Sequence, residues 1–228
     1  MDFVDLSHTF DENMTVYPGN PPFSCCPVYT VAEHGINLTS LSMSSHMGTH
    51  LDAPYHVYQN GLTVDALPLS TFVGPAIVVN VTGKAPDTRI MWDDISSYEK
   101  RFLDGGKQGA IVLIRTGWSE YWESQKYFDH PFLDKEAARR ILDAGIRVIG
   151  IDTLSVDQTI VSEGGQAEER DFGVHHAVLG SGRVIAENLT NLAAIQEGEW
   201  SVTLVPFKLS GSDGSPIRAF AYRRGIGH

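Results

Sequence analysis

Residues 1–228 read as one α/β domain built on a mixed β-sheet, and three observations predict it. Short apolar runs rich in β-branched residues recur along the chain, one amphipathic helix leads directly into such a run, and the ends are strand-like without intervening helices. In order, the expected strands cover residues 76–81, 110–115, 148–151, 201–207 and 217–222, each closed by Gly, Pro, Asn or Ser. The helix begins after Asp134, whose carboxylate suits the cap position. Ala138, Ile141 and Leu142 share its apolar face, and Gly145 stands where a left-handed C-terminal residue is needed. No internal repeat and no linker-like change of composition divides the chain.

Composition narrows the function classes. With 17 Lys+Arg against 28 Asp+Glu the net charge is −11, and no basic stripe is present, so a nucleic-acid partner is excluded. The opening MDFVDLSHTF carries Asp2 and Asp5 where a signal peptide needs basic residues, and no apolar run reaches the roughly 18–20 residues of a membrane helix. The chain reads as a cytoplasmic protein that is neither secreted nor membrane-bound. Two cysteines, Cys25 and Cys26, supply neither a disulfide framework nor a thiolate metal site. Being adjacent they pair only with strain, and they read as two small buried hydrophobes.

Histidine is the unusual residue. The segment SHMGTHLDAPYHVY at residues 45–58 places His46, His50 and His56 within eleven residues, with Asp52 among them. A lone histidine there would read as a satisfied polar group on a surface loop. Three of the nine so close together, in a stretch that Gly48, Ala53 and Pro54 keep from being one helix, imply a loop shaped by what it binds. Imidazole with carboxylate and no thiolate is a ligand set for Zn²⁺ or Mn²⁺ in a catalytic role.

One loop rarely completes such a site, and DFGVHHAVLGSGRVIAENLTNL offers further ligands. His175 and His176 open a short helical stretch, and Glu187 closes a strand-like run whose Val184, Ile185 and Ala186 would bury it. A buried carboxylate needs a partner or a metal, although Glu187 alone reads equally well as an ordinary charge at a strand end. Other motifs carry less. The GSGR at residues 180–183 lacks both the dinucleotide pattern and a Walker lysine, and Ser119 and Ser155 lack a nucleophile-elbow setting. Asp213 and Arg218 in GSDGSPIRAF read as a structural turn with an ion pair.

The string His46-x-Gly48-Thr49-His50-x-Asp52-x-Pro54-x-His56 resembles the HxGTHxDxPxH signature of the cyclase family of metal-dependent hydrolases, which includes bacterial kynurenine formamidases and isatin hydrolases. Most of the chain shares in the resemblance: DLSHTF and YPGNPPF near the start, RTGW at residues 115–118, GIDTLSVD at 150–157, HHAVLGSGRVIAENL, and the tail GSDGSPIRAFA. By position it implies that His46, His50 and Asp52 hold one divalent metal, Zn²⁺ or Mn²⁺. It implies that Asp52 bridges to a second site completed by His175 and Glu187, and that His56 is the acid/base residue; Tyr17, in the stiff aromatic loop Tyr17-Pro18-Gly19, is read from its own residues as a substrate wall. The resemblance further implies a swivelling β/β/α type of fold, a homodimer or homotetramer, and a small-molecule substrate. The implied activity is hydrolysis of an aromatic amide, with N-formylkynurenine to kynurenine and formate as the leading case. A cyclic amide such as isatin, or a lactone, is the alternative; a metal-loop protein that binds without catalysis is the third. Kynurenine formamidases carry WPGD where this chain has Tyr17-Pro18-Gly19-Asn20. Ser155 is a further candidate polar contact, and Phe3, Phe23, Tyr55, Tyr58, Trp118 and Trp122 are candidate aromatic walls. His8, His34, His130, His176 and His228 suggest no role.

Overall fold

A computed structural model describes residues 1–161 and 172–223; His228 lies outside them. The strands in the first half are β1 (Asp2–Asp5), β2 (Ser24–Tyr29), β3 (Leu38–Ser42), β4 (His50–Asp52), β5 (Val73–Asn80), β6 (Arg89–Ile90) and β7 (Ile111–Arg115). Those in the second half are β8 (Phe132–Leu133), β9 (Val148–Ile151), β10 (Val184–Glu187), β11 (Ser201–Thr203), β12 (Gly214–Pro216) and β13 (Phe220–Arg223). Helices α1 (Val31–His34), α2 (Trp92–Ile95), α3 (Glu99–Gly106), α4 (Lys135–Asp143) and α5 (Gly173–Gly180) lie between them.

Among the described residues nine strands form one sheet in the order β1-β13-β11-β5-β7-β9-β10-β4-β12. The central four, β5-β7-β9-β10, are parallel, and every other pairing is antiparallel, so the sheet is mixed as expected. Parallel strands covered on both faces read as unbroken apolar runs. In β7 the alternation is visible only in three dimensions: Val112 and Ile114 face a core shared with Phe102 of α3, Ile141 of α4 and Val178 of α5. Ile111 and Leu113 face a second core with Trp200, Val202 and Ala219. Helix α4 starts as expected, Asp134 accepting the N–H groups of Glu136 and Ala137, and Gly145 takes φ +92°.

Chain length shows that the sheet curls. Strands β12 and β13 stand seven places apart in the order, about 34 Å in a flat sheet at ~4.8 Å per strand. Only residues 217–219 join them, and four residue steps span at most about 14 Å. The two ends of the sheet must therefore approach each other, and Ile217 bridges Pro206 while its N–H reaches Thr49 O at 3.0 Å. This corrects the expected strand at 217–222: residues 217–219 are the connection, and only 220–222 are strand, within β13. The strand expected at 201–207 stops at Thr203, after which Leu204 N–H turns to Phe72 O.

The cysteines are a second correction. Cys25 and Cys26 are exposed, because β2 pairs only with β3 in a hairpin detached from the main sheet. Nearly every residue of both strands is exposed, including Val28, Leu38 and Leu41.

Candidate metal centre

Strand register assembles the centre. His50 and Asp52 are two apart on β4 and share a face, while Leu51 between them enters the core. Across the antiparallel pair Glu187 of β10 stands opposite His50, which puts it on the same face. His175 arrives from the first turn of α5. The Asp157 carboxylate accepts the backbone N–H groups of Val174 and His175, both at 2.9 Å, and the Nδ1–H of His175 at 2.7 Å. It satisfies orphan donors of the helix start and aims the other ring nitrogen inward.

Four side chains enclose one point. His50 Nε2 lies 3.3 Å from Asp52 Oδ1 and 3.5 Å from Glu187 Oε2, and His175 Nε2 lies 3.4 Å from Asp52 Oδ2 and 3.5 Å from Glu187 Oε1. Asp52 Oδ2 is buried without a hydrogen bond. Donor atoms bonded at about 2.0–2.1 Å to a tetrahedral cation stand roughly 3.3–3.4 Å apart, so these residues fit a divalent ion better than they fit each other. Glu187 is pushed up by burial and by the nearby Asp52, while its Oε1 accepts the Val156 N–H at 2.8 Å. Burial works against ionisation of Asp52, yet His46, His175 and His50 hold it well below the usual carboxylate range.

His46 is held differently. Its Nδ1 lies 2.6 Å from Asp52 Oδ1 and its Nε2 lies 2.9 Å from Asp213 Oδ2. Burial disfavours charge on this ring, but the two carboxylates outweigh it and raise the imidazole to about 10. Asp52 thus meets His46 and His50 through Oδ1 and His175 through Oδ2. His46, His50 and Asp52 form one group whose donor atoms suit a metal ion; Asp52, His175 and Glu187 form a second.

The motif's other residues have structural causes. Gly48 holds φ +54°, and a Cβ there would lie 2.2 Å from Phe10 Cε1. Its carbonyl accepts His50 Nδ1–H and Asn188 Nδ2–H, each at 2.8 Å, which leaves His50 Nε2 facing the cage. Thr49 Oγ1 donates to Asn188 O and accepts the His8 N–H, joining the motif to β10 and the N-terminal segment.

A cleft of about 170 Å³ opens over the cage, and Tyr17, His46, His50, Asp52, His56, His175 and Glu187 all line it. Asn20 and Ser155 add polar groups, and Met47, Leu154 and Phe172 apolar ones. His56, exposed at the rim, has Nδ1 3.3 Å from Asp213 Oδ2. The other expected aromatic walls are elsewhere. Phe3 packs on Phe220 and Tyr222 at the sheet edge, and Phe23 meets Phe10 edge-on. Tyr55 is exposed and Tyr58 OH donates to His176 O, while Trp118 belongs to a buried cluster with Tyr127, against which Trp122 packs. His8 stacks on Trp122 at 4.2 Å, and buried His130 donates from Nδ1 to Pro131 O; both are built into the scaffold.

Sequence reasoning missed Asp157, Asn188 and the place of Asp213. The expected Asp213–Arg218 pair does not form: Arg218 binds Asp5 at 2.7 Å, and Asp213 turns to the histidines. The one local signal was the Asp213-Gly214 dipeptide, since a Cβ on Gly214 would lie 2.6 Å from His46 Cε1.

The chain is similar to known proteins over nearly its whole length. The kynurenine formamidase of Bacillus cytotoxicus is 32% identical over 222 residues, with 96% of each chain covered. That of Geobacillus thermodenitrificans is 31% identical over 226 residues, with 98% of each covered. Isatin hydrolase A from Labrenzia aggregata superposes with a TM-score of 0.81 at 27% identity, over 96% of this chain and 93% of that one. A structure described as a predicted metal-dependent hydrolase from Bacillus stearothermophilus has a TM-score of 0.76 at 29% identity, covering 98% of both. The Cyclase family model matches residues 4–158, and with the full-length likeness to these relatives it places the chain in the Cyclase family.

Proposed function

We propose that this protein is a metal-dependent hydrolase that cleaves the C–N bond of a small aromatic amide, N-formylkynurenine foremost. The observation that carries this reading is the cage of His50, Asp52, His175 and Glu187, with donor atoms 3.3–3.5 Å apart at the floor of a cleft. His46, His50 and Asp52 would hold one divalent ion, Zn²⁺ or Mn²⁺, and Asp52, His175 and Glu187 would offer the place for a second. When bound, such an ion would activate water as a nucleophile at neutral pH and polarise a carbonyl. The chain's own residues do the rest. Asp157 and the Gly48 carbonyl keep His175 and His50 turned inward. Amide hydrolysis expels an amine, a poor leaving group that must receive a proton, and His56 at the cleft wall delivers it. Tyr17, Met47, Leu154 and Phe172 receive the aromatic ring.

Isatin-type ring opening is the second reading, favoured by the likeness to isatin hydrolase A. Assays with N-formylkynurenine, isatin and a simple aryl formamide, each with added Zn²⁺ or Mn²⁺, separate the readings. Turnover of N-formylkynurenine at a kcat/KM at least tenfold above isatin is expected. The reverse order moves the assignment to cyclic amides, and no turnover by metal-loaded protein overturns hydrolysis in favour of a binding role.

The active unit in this proposal is a homodimer or larger homo-oligomer of the one domain 1–228. A two-stranded hairpin is at best marginally stable alone in water, yet the hairpin of β2 and β3 exposes Val28, Tyr29, Val31, Ile36, Leu38 and Leu41. Residues 24–43 hold one acid, Glu33, and no Lys or Arg, so two copies meet there without like-charge repulsion despite a net charge of −11. The hairpin also joins the Tyr17 wall to His46, so covering it would order the cleft. Sedimentation should give at least twice the 25.0 kDa chain mass, with Leu38→Asp and Leu41→Asp together shifting it to monomer. A wild-type monomer at micromolar concentration refutes this.

A further inference from the structure

Asp213 is used by neither metal-donor group of the proposed mechanism, yet it faces two of that mechanism's histidines. One atom, Oδ2, lies 2.9 Å from His46 Nε2 and 3.3 Å from His56 Nδ1. The two rings lie 3.9 Å apart between centroids, tilted by 36°. We propose that Asp213 is a positioning residue for both: its Oδ2 accepts from His46 Nε2–H and His56 Nδ1–H, so a single carboxylate turns His46 Nδ1 toward Asp52 and leaves His56 Nε2 for the substrate.

Three features support a built arrangement rather than a chance surface contact. The Asp213 backbone is fixed, its carbonyl accepting Ala53 N–H at 2.8 Å, while the neighbouring Ser212 carbonyl accepts Val64 N–H at 2.9 Å. The next residue, Gly214, pairs with Asp52 across the β4–β12 ladder. A side chain on Gly214 would occupy the place of the His46 ring, its Cβ lying 2.6 Å from Cε1 and 3.0 Å from Nε2. The dipeptide is therefore a cradle, glycine supplying room and aspartate the acceptor. The same carbonyl of Asp213 holds Ala53, and Ala53 O accepts the His56 N–H at 2.9 Å, so the turn bearing His56 is anchored to the carboxylate that orients its ring. Arg218 supplies no competing charge, being engaged with Asp5 at 2.7 Å. Whenever His56 is neutral it has one N–H, and an acceptor at Nδ1 decides which nitrogen carries it; on His46 the Asp213 carboxylate takes the Nε2–H while Nδ1 faces Asp52. His46 and His175 are then held by the same device, an outer carboxylate on the nitrogen that faces away from the cage.

The inference rests on the roles proposed above for His46 and His56, and its test has arms that do not need catalysis. In metal-free protein, ¹⁵N-edited spectra of the histidine rings should show His56 protonated at Nδ1 and His46 carrying a slowly exchanging Nε2–H. Both signatures should be lost in Asp213→Ala and kept in Asp213→Asn, which retains an acceptor oxygen. Zn²⁺ affinity should weaken about 10–100-fold in Asp213→Ala, the usual cost of losing an outer-shell partner. With metal saturating, kcat should fall about 10–100-fold while KM stays within threefold, Asp213→Asn recovering most of the loss and Arg218→Ala matching wild type. Unchanged ring signatures and unchanged Zn²⁺ affinity in a folded Asp213→Ala variant overturn the proposal. Should the wild type turn over none of the three substrates, the proposed function falls, while the spectra and the Zn²⁺ titration still decide the role of Asp213.

Discussion

Asp52→Ala is expected to abolish metal binding and activity together, the largest effect of any single substitution in this protein. Asp52 is fully buried, and its two oxygens face His46 and His50 on one side and His175 on the other. Among the described residues no other side chain belongs to both the His46–His50 group and the His175–Glu187 group. Its loss leaves two incomplete half-sites facing each other. Charge stabilisation by a bound metal is worth several kcal/mol, and each 1.4 kcal/mol is tenfold in rate, so kcat/KM should fall by about 10³-fold or more. Metal content of purified protein by mass spectrometry should drop from its wild-type stoichiometry to near zero. Full occupancy in Asp52→Ala would remove this residue from the ligand set and the bridge with it.

His56→Ala is expected to separate the two properties. His56 sits outside the buried cage, exposed at the cleft, with Nδ1 near Asp213 rather than near Asp52 or Glu187. The variant should keep its metal and lose about 10²–10⁴-fold in kcat, the usual range for a general acid or base. The loss should shrink for a substrate whose leaving amine is made less basic by electron-withdrawing groups, because such a group needs less help from a proton. The competing possibility is concrete, since His46, His56 and Asp213 also bring donor atoms close enough for an ion. Equal metal loss in His56→Ala and Asp52→Ala would make His56 a ligand.

Much of this centre was legible in the residue string, because its chemistry is concentrated in one short segment. Donor type is a local property, and no thiolate competes with imidazole and carboxylate; that His50 and Asp52 share one face of a strand was not legible, because the segment read as a loop. The helix after Asp134 was legible for a similar local reason, a cap, an apolar face and a glycine end. The parallel strands 111–115 and 148–151 were legible as continuous apolar runs.

What escaped was set by contacts distant in sequence. Asp157 lies 18 residues before His175, and nothing local couples them until α5 docks its first turn on that carboxylate. Asp213 lies 167 residues from His46 and looked like a turn acid, because its apparent partner Arg218 is close in sequence. The sheet curls between them and sends Arg218 to Asp5 and Asp213 to the cleft. Cys25 and Cys26 look like core residues by type, and are exposed because their hairpin never joins the main sheet.

The amino-acid sequence by itself determined the kind of candidate centre, nitrogen and oxygen donors without thiolate, since donor identity is a local property. Only the tertiary structure decided how those donors are held. The antiparallel β4–β10 register sets Glu187 opposite His50, and the curled sheet returns β12 beside β4 with Asp213 and Gly214 against His46. The direction in which an imidazole offers its lone pair depends on which distant acceptor takes its other nitrogen, and that acceptor is chosen by folding.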